Sequence, residues 1–190
     1  MSRVQPRLIP QGMAFALPSL IVLLLFPRTS AADVSALNGT WRSAADEMRL
    51  STPFDESVWG KDAKSTRIVE MVIRQGGDAT LSVTRRVVDA KGRAVPGSTS
   101  IEHATLVLSE GKAGTGPRSE LAVTVKQAER RYPDDPKGTW MIDGLRVGVT
   151  TFADRPGEIE VRVDFPEGRG SFWETLRRTP GKPAPRESRK

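Results

Sequence analysis

The chain has 190 residues, with 29 Lys and Arg against 23 Asp and Glu, one His and no Cys. The lack of Cys excludes a disulfide framework, thiolate metal sites and Cys nucleophiles, and one His cannot build a His-ligand cluster. The positive excess sits at the two ends, because residues 33–178 hold 22 basic and 22 acidic side chains; a one-signed face that would select nucleic acid is therefore not expected.

In chain order, Arg3 and Arg7 precede an apolar run that is densest from Ala14 to Phe26, followed by small residues at Ser30 and Ala32. This is the layout of a signal peptide over residues 1–32, with cleavage before Asp33. The apolar run falls short of the roughly 20 residues a spanning helix needs, and Pro18 interrupts it. The expectation is an exported protein, periplasmic or secreted, that is not an integral membrane protein after cleavage. Residues 33–178 then suit one domain with a single core, and residues 179–190 (TPGKPAPRESRK) read as a disordered basic tail.

Asn38-Gly39 is a turn signal directly before Thr40-Trp41. The expectation is a first strand on which Trp41 points inward and Gly39 leaves room for close packing. One long loop follows, from Ser43 to Ser65, with Phe54 and Trp59 among many charges. It has room for a short amphipathic helix, and it either plugs one end of the fold or covers a ligand mouth. From there period two dominates. Residues 66–75 put Val69, Met71 and Ile73 on one side, and residues 79–89 do the same with Leu81 and Val83 before an irregularity at Arg85-Arg86. That irregularity is either a bulge or an inward-facing Arg85. Runs at 99–110, 119–130 and 138–152 follow, the last with Gly144 as a bend. Glu158 to Phe165 alternates without fault between an apolar face and a charged one, and Ser171 to Arg178 closes the series. Short turns at Gln75–Asp78, Asp89–Gly92, Asp154–Gly157 and Glu167–Gly170 force antiparallel neighbours. The fold class is therefore all-β: eight antiparallel strands in up-and-down order with one long first loop, closed into a barrel or split into a sandwich.

The Asn38-Gly39-Thr40-Trp41 stretch resembles the Gly-x-Trp signature on the first strand of the lipocalins and related small up-and-down barrels. In that family an Arg near the end of the last strand stacks over the Trp and seals the closed end. Arg177 and Arg178 stand at that place here. The resemblance implies a closed barrel, a Trp–Arg closure device, and a hollow or a mouth able to hold a small ligand. The chain departs from the family in having no Thr-Asp-Tyr-type motif at the later turn and no clear helix after the last strand.

Chemistry-bearing motifs are few. His103 is the one general base for a Ser–His–acid arrangement. Asp134-Asp135 between prolines reads as a solvated turn, and GKAGTGPRS at 111–119 lacks the Gly-Lys-Ser ending of a phosphate cradle. No catalytic residue, metal or cofactor is assigned. The leading expectation is a non-enzymatic binding protein whose lining comprises Val69, Met71, Ile73, Leu81, Val83, Val123, Val125, Val161 and Val163, with Phe54 and Trp59 as a lid. Such a lining suits a small apolar or amphiphilic ligand. The same side chains equally suit an ordinary filled core, which would leave a protein-interaction or inhibitor module acting through its loops. An enzyme working through His103 and a small outer-membrane barrel are lesser alternatives.

Overall fold

The computed structural model describes residues 33–111, 116–135 and 137–180. Residues 1–32, where the signal peptide is expected, residues 112–115 and 136, and all of the expected tail but 179 and 180 lie outside the described residues. The strands are β1 (Gly39–Arg42), β2 (Asp46–Arg49), β3 (Lys64–Ile73), β4 (Asp78–Val88), β5 (Ser100–Ser109), β6 (Arg118–Arg131), β7 (Thr139–Met141), β8 (Arg146–Phe152), β9 (Glu158–Asp164) and β10 (Ser171–Arg178). One α-helix, α1 (Pro53–Trp59), stands between β2 and β3.

All strand pairs are antiparallel, and β1 pairs with both β3 and β10, so the sheet closes on itself, while β2 pairs with β3 alone. The ten strands occupy eight places around the barrel. Strands β1 and β2 share the place beside β3, and β7 and β8 share the place beside β6. The expected long run at 138–152 thus divides at Asp143-Gly144, where Gly144 takes a φ of +79°. The expected long first loop contains β2 and α1. Thr52 caps the helix by accepting a hydrogen bond from the Asp55 N–H, and Pro53 stands at its first turn.

Gly39 has a φ of +134°, yet a Cβ placed there would meet no atom within 4 Å. The close packing expected at this glycine is not found; the backbone torsion is what favours it. At Arg85-Arg86 the pairing of β4 with β3 runs on without a break, and the β5 ladder keeps its register up to its last pair, Arg85 with Ser100. Arg85 therefore keeps the phase of Leu81 and Val83 and faces inward, and the bulge alternative is corrected. The irregularity sits two strands further on, where β6 inserts an extra residue at Lys126 opposite Thr105 and Leu106 of β5.

Alternation places the core inside the barrel and the charges outside. Trp41, Val69, Met71, Leu106, Ile159, Val161 and Leu176 have zero exposure. A side chain with no exposure borders no space that a water molecule could enter, so the barrel is filled at these residues. The outer wall carries Arg42, Glu70, Ser82, Thr84, Arg86, Glu160 and Arg162.

Trp41 and Arg178 are register partners across the β1–β10 closure. The Arg178 guanidinium lies 4.6 Å from the centre of the indole. Trp41 Nε1 donates to the Leu37 carbonyl at 2.8 Å, and Arg178 donates to the Ala36 carbonyl. Both acceptors belong to the 3-10 turn Val34–Leu37, which lies at the closed end of the barrel. Arg177 faces the other way and pairs with Glu158 on the outer wall at 3.1 Å. Past β10, the Thr179 N–H donates to the Thr40 carbonyl and extends the closure by one residue.

Candidate binding site at the barrel mouth

The end of the barrel opposite Trp41 is built differently. Toward this end the inward phase carries Arg67 on β3, Arg85 on β4 and Glu102 on β5, with Ser65, Val87 and Ser100 in the same phase beyond them. The bulge at Lys126 turns Arg130 inward on β6, directly opposite Glu102. On β10, Phe172 and Glu174 share the phase of Leu176 and Arg178, and Phe165 continues the inward side of β9. A layer of three guanidiniums, two carboxylates and two phenyl rings therefore sits above an apolar, filled interior.

Its members are unequally committed. Arg67 donates to Glu174 through Nε at 3.1 Å and Nη2 at 2.7 Å, and Nη2 also reaches Asp46 at 2.7 Å. Arg130 Nε donates to Glu102 Oε1 at 3.0 Å, and its Nη2 lies 2.9 Å from the same oxygen as an ion pair. Glu102 is buried, with its side chain 5% exposed, and its second oxygen, Oε2, has no hydrogen-bond partner. The nearest cation to that oxygen is Arg85, with Nε at 3.6 Å, an ion pair too long for a hydrogen bond. The Arg85 guanidinium donates no hydrogen bond to any described residue.

Arg67 and Arg85 are direct cross-strand partners, a like-charge pairing that costs free energy in a sheet. The Phe172 ring offsets part of that cost. Its centre lies 4.4 Å from the Arg67 guanidinium and 5.5 Å from that of Arg85. Phe165 stands 5.6 Å from Arg85 and 5.9 Å from Arg130, and the two rings are 6.2 Å apart. Each guanidinium over a ring face is favourable by about 0.5–2 kcal/mol, depending on desolvation. The layer remains open to solvent, with the Arg67, Arg85 and Arg130 side chains 23%, 36% and 31% exposed. Trp140, the register partner of Arg130, shares its face at the rim; it is exposed and meets Tyr132 edge-on at 5.0 Å.

The residues expected to line a ligand cavity divide into three groups. Val69, Met71, Ile73, Leu81, Val83, Val161 and Val163 come together inside the barrel, where all are buried against one another. Val123 and Val125 are only partly buried, because the β6–β8 ladder lapses beside them. Its last β6 partner on one side is Leu121, opposite Val149, and on the other Ala128 accepts from the Ile142 N–H. Phe54 and Trp59 are on α1, which buries no residue, and Phe54 is strongly exposed. A plug formed by Phe54 is therefore not what the structure has.

Sequence reasoning missed Arg67, Glu102, Phe165, Phe172 and Glu174. The signal for Arg67 and Glu102 was present, since each is in phase with buried neighbours two residues on. No such signal existed for Arg130, because the one-residue bulge at Lys126 reverses its face.

His103 is on the outer wall, where Ser82 Oγ lies 3.1 Å from its Nδ1. Glu129, its register partner on β6, forms an ion pair with Arg131. The three side chains form a row across the sheet, where the neighbouring backbone N–H groups serve the ladders. Asp134 accepts from the Gly97 N–H at 2.9 Å and ties two mouth loops together. Among the described residues there is no group of three or more His, Cys, Asp or Glu side chains suited to a metal ion. At the closed end, a hollow of about 500 Å³ is bordered by Leu37, Phe152, Pro156, Glu158 and Arg178. Glu158 there is already paired with both Arg155 and Arg177.

No family model, no curated protein and no solved structure matches the chain.

Proposed function

We propose that the protein is a non-enzymatic binding module that takes a small amphiphilic ligand at the open mouth of its barrel, above an interior filled with its own side chains. One observation carries this reading: a solvent-open layer of guanidiniums and phenyl rings caps a core whose central side chains have no exposure. Burying charge at the end of an apolar barrel costs stability, and a filled core needs no such layer to fold. Exposed Trp140 and partly buried Phe165 supply apolar contacts beside the charges, as small-molecule sites commonly do.

The layout of the N-terminal residues supports export to the periplasm or the exterior. Charges along the outer wall, among them Glu70, Arg86 and Glu160, oppose a lipid-facing role, since a membrane barrel presents its apolar band outward. The likeness to the lipocalins remains one of architecture and of the Trp41–Arg178 pair.

A test is native mass spectrometry of the full chain purified from its own compartment, with a co-purified small molecule as the expected result. Adding that molecule back should shift Trp140 emission, and Trp140→Phe should abolish the shift. A chain that carries nothing, and whose mouth tryptophan responds to no amphiphile, overturns the reading. The second reading, an interaction module with a filled barrel, is favoured by the filled interior together with Trp140 and Met141 exposed on β7 and Trp173 exposed on β10. Stoichiometric capture of a protein partner, lost on Trp173→Ala but kept in Arg85→Gln, would select it.

A further inference from the structure

We propose that the ligand of the mouth is an organic acid: a molecule with one anionic oxygen head group on an apolar ring or chain, the head group held by Arg85 and the apolar part by Phe165 and Phe172. This inference rests on the mouth being the binding site and adds the chemistry of what binds there.

The three arginines are used unequally. Arg67 is satisfied by Glu174 and Asp46, and Arg130 by Glu102 Oε1. Arg85 alone has acidic company without a hydrogen bond, at 3.6 Å from a carboxylate whose nearer oxygen is itself without a partner. Its guanidinium offers five N–H donors in a planar fork, the geometry that carboxylate, sulfonate and phosphate oxygens match. Directly across the ladder is Arg67. An anion at Arg85 would therefore relieve this like-charge pairing. The two phenyl rings that flank Arg85, at 5.5 and 5.6 Å, are 6.2 Å from each other and set apolar surface beside the fork. Below them Val83, Val161 and Val163 are buried, so the apolar part cannot descend into the barrel and must lie along the rim toward Trp140.

The test uses the full chain and two fluorescent probes of similar shape, anionic 8-anilinonaphthalene-1-sulfonate and neutral N-phenyl-1-naphthylamine. The expected result is at least tenfold tighter binding of the sulfonate. Arg85→Gln should remove that preference, and Arg85→Lys should keep the charge but lose part of the affinity, because the fork is gone. Arg177→Gln, on the outer wall, should change neither probe. Far-UV circular dichroism and a thermal melt on each variant exclude a loosened fold as the source of probe binding. Equal binding of the two probes, or a sulfonate preference that survives Arg85→Gln in a folded variant, overturns the acid proposal. If the neutral probe still binds and is lost on Phe165→Ala, the mouth stands as the site while the acid proposal falls. If neither probe binds, both fall.

Discussion

Trp41 offers the sharpest test of the closed end. Its indole has no exposure and fills the floor of the barrel. A buried Trp removes about 150–250 Å² from water, which at about 25 cal/mol per Å² is roughly 4–6 kcal/mol. Alanine keeps a little of that area, and the cavity relaxes only in part, so Trp41→Ala should cost about 3–5 kcal/mol from packing. Losing the Nε1–H donor strands the Leu37 carbonyl and adds roughly 1 kcal/mol. The total is a large fraction of a small domain's stability, typically about 5–15 kcal/mol. Trp41→Phe should be measured beside it, with an expected loss of about 2 kcal/mol. The assay is urea unfolding followed by far-UV circular dichroism with linear extrapolation. A double-mutant cycle with Arg178→Met isolates the ring–guanidinium term, expected at about 0.5–2 kcal/mol. A loss below about 1 kcal/mol for Trp41→Ala, where large core truncations cost several, or a coupling of zero, would refute the closure argument.

Further expectations concern the mouth, the turns and the seam. Arg130→Met leaves the buried Glu102 without its hydrogen bond and its closest ion pair. It should destabilise by about 3 kcal/mol, the low end for a broken buried pair because Arg85 can move in, and adding Glu102→Leu should restore part of the loss. Gly77→Ala would put a Cβ 2.2 Å from the Leu108 carbonyl oxygen at a φ of +90°. It should cost about 2–4 kcal/mol, whereas Gly76→Ala, with no atom within 4 Å, should show the torsional cost alone. The Asp89 carboxyl is held below its ordinary value, first by the hydrogen bond from the Arg93 N–H and further by the Arg93 side chain and the Lys91 N–H. Because the folded value is the lower one, the turn is stabilised at neutral pH and loses that stabilisation as pH falls through it. Amide exchange at Lys91 and Arg93, corrected for intrinsic rates, should therefore lose protection in acid, and Asp89→Asn should remove the pH dependence. Along β6, alternate amides between 122 and 127 should exchange faster than those of the flanking paired residues, since the β8 side of that stretch has no ladder. Uniform protection would contradict the lapse.

Much of this protein follows from local sequence. Period-two runs bounded by Gly, Pro and Asp turns specify strands and their order, because alternation permits only one dry face per strand and short turns permit only antiparallel neighbours. That logic reaches the eight places of the barrel, the bend at Gly144, the inward Trp41 and the option of an inward Arg85. Three things depended on the closed tertiary structure. Choosing Arg178 over Arg177 as the stacking partner required the register across β1 and β10, set by residues some 140 positions apart. The filled interior depended on side-chain volumes meeting across the barrel, which no single strand reveals. The charged mouth layer depended on one extra residue in β6. That insertion reverses the face of Arg130 and so brings Glu102 between two guanidiniums, a pairing that periodicity alone would have assigned to opposite sides of the sheet.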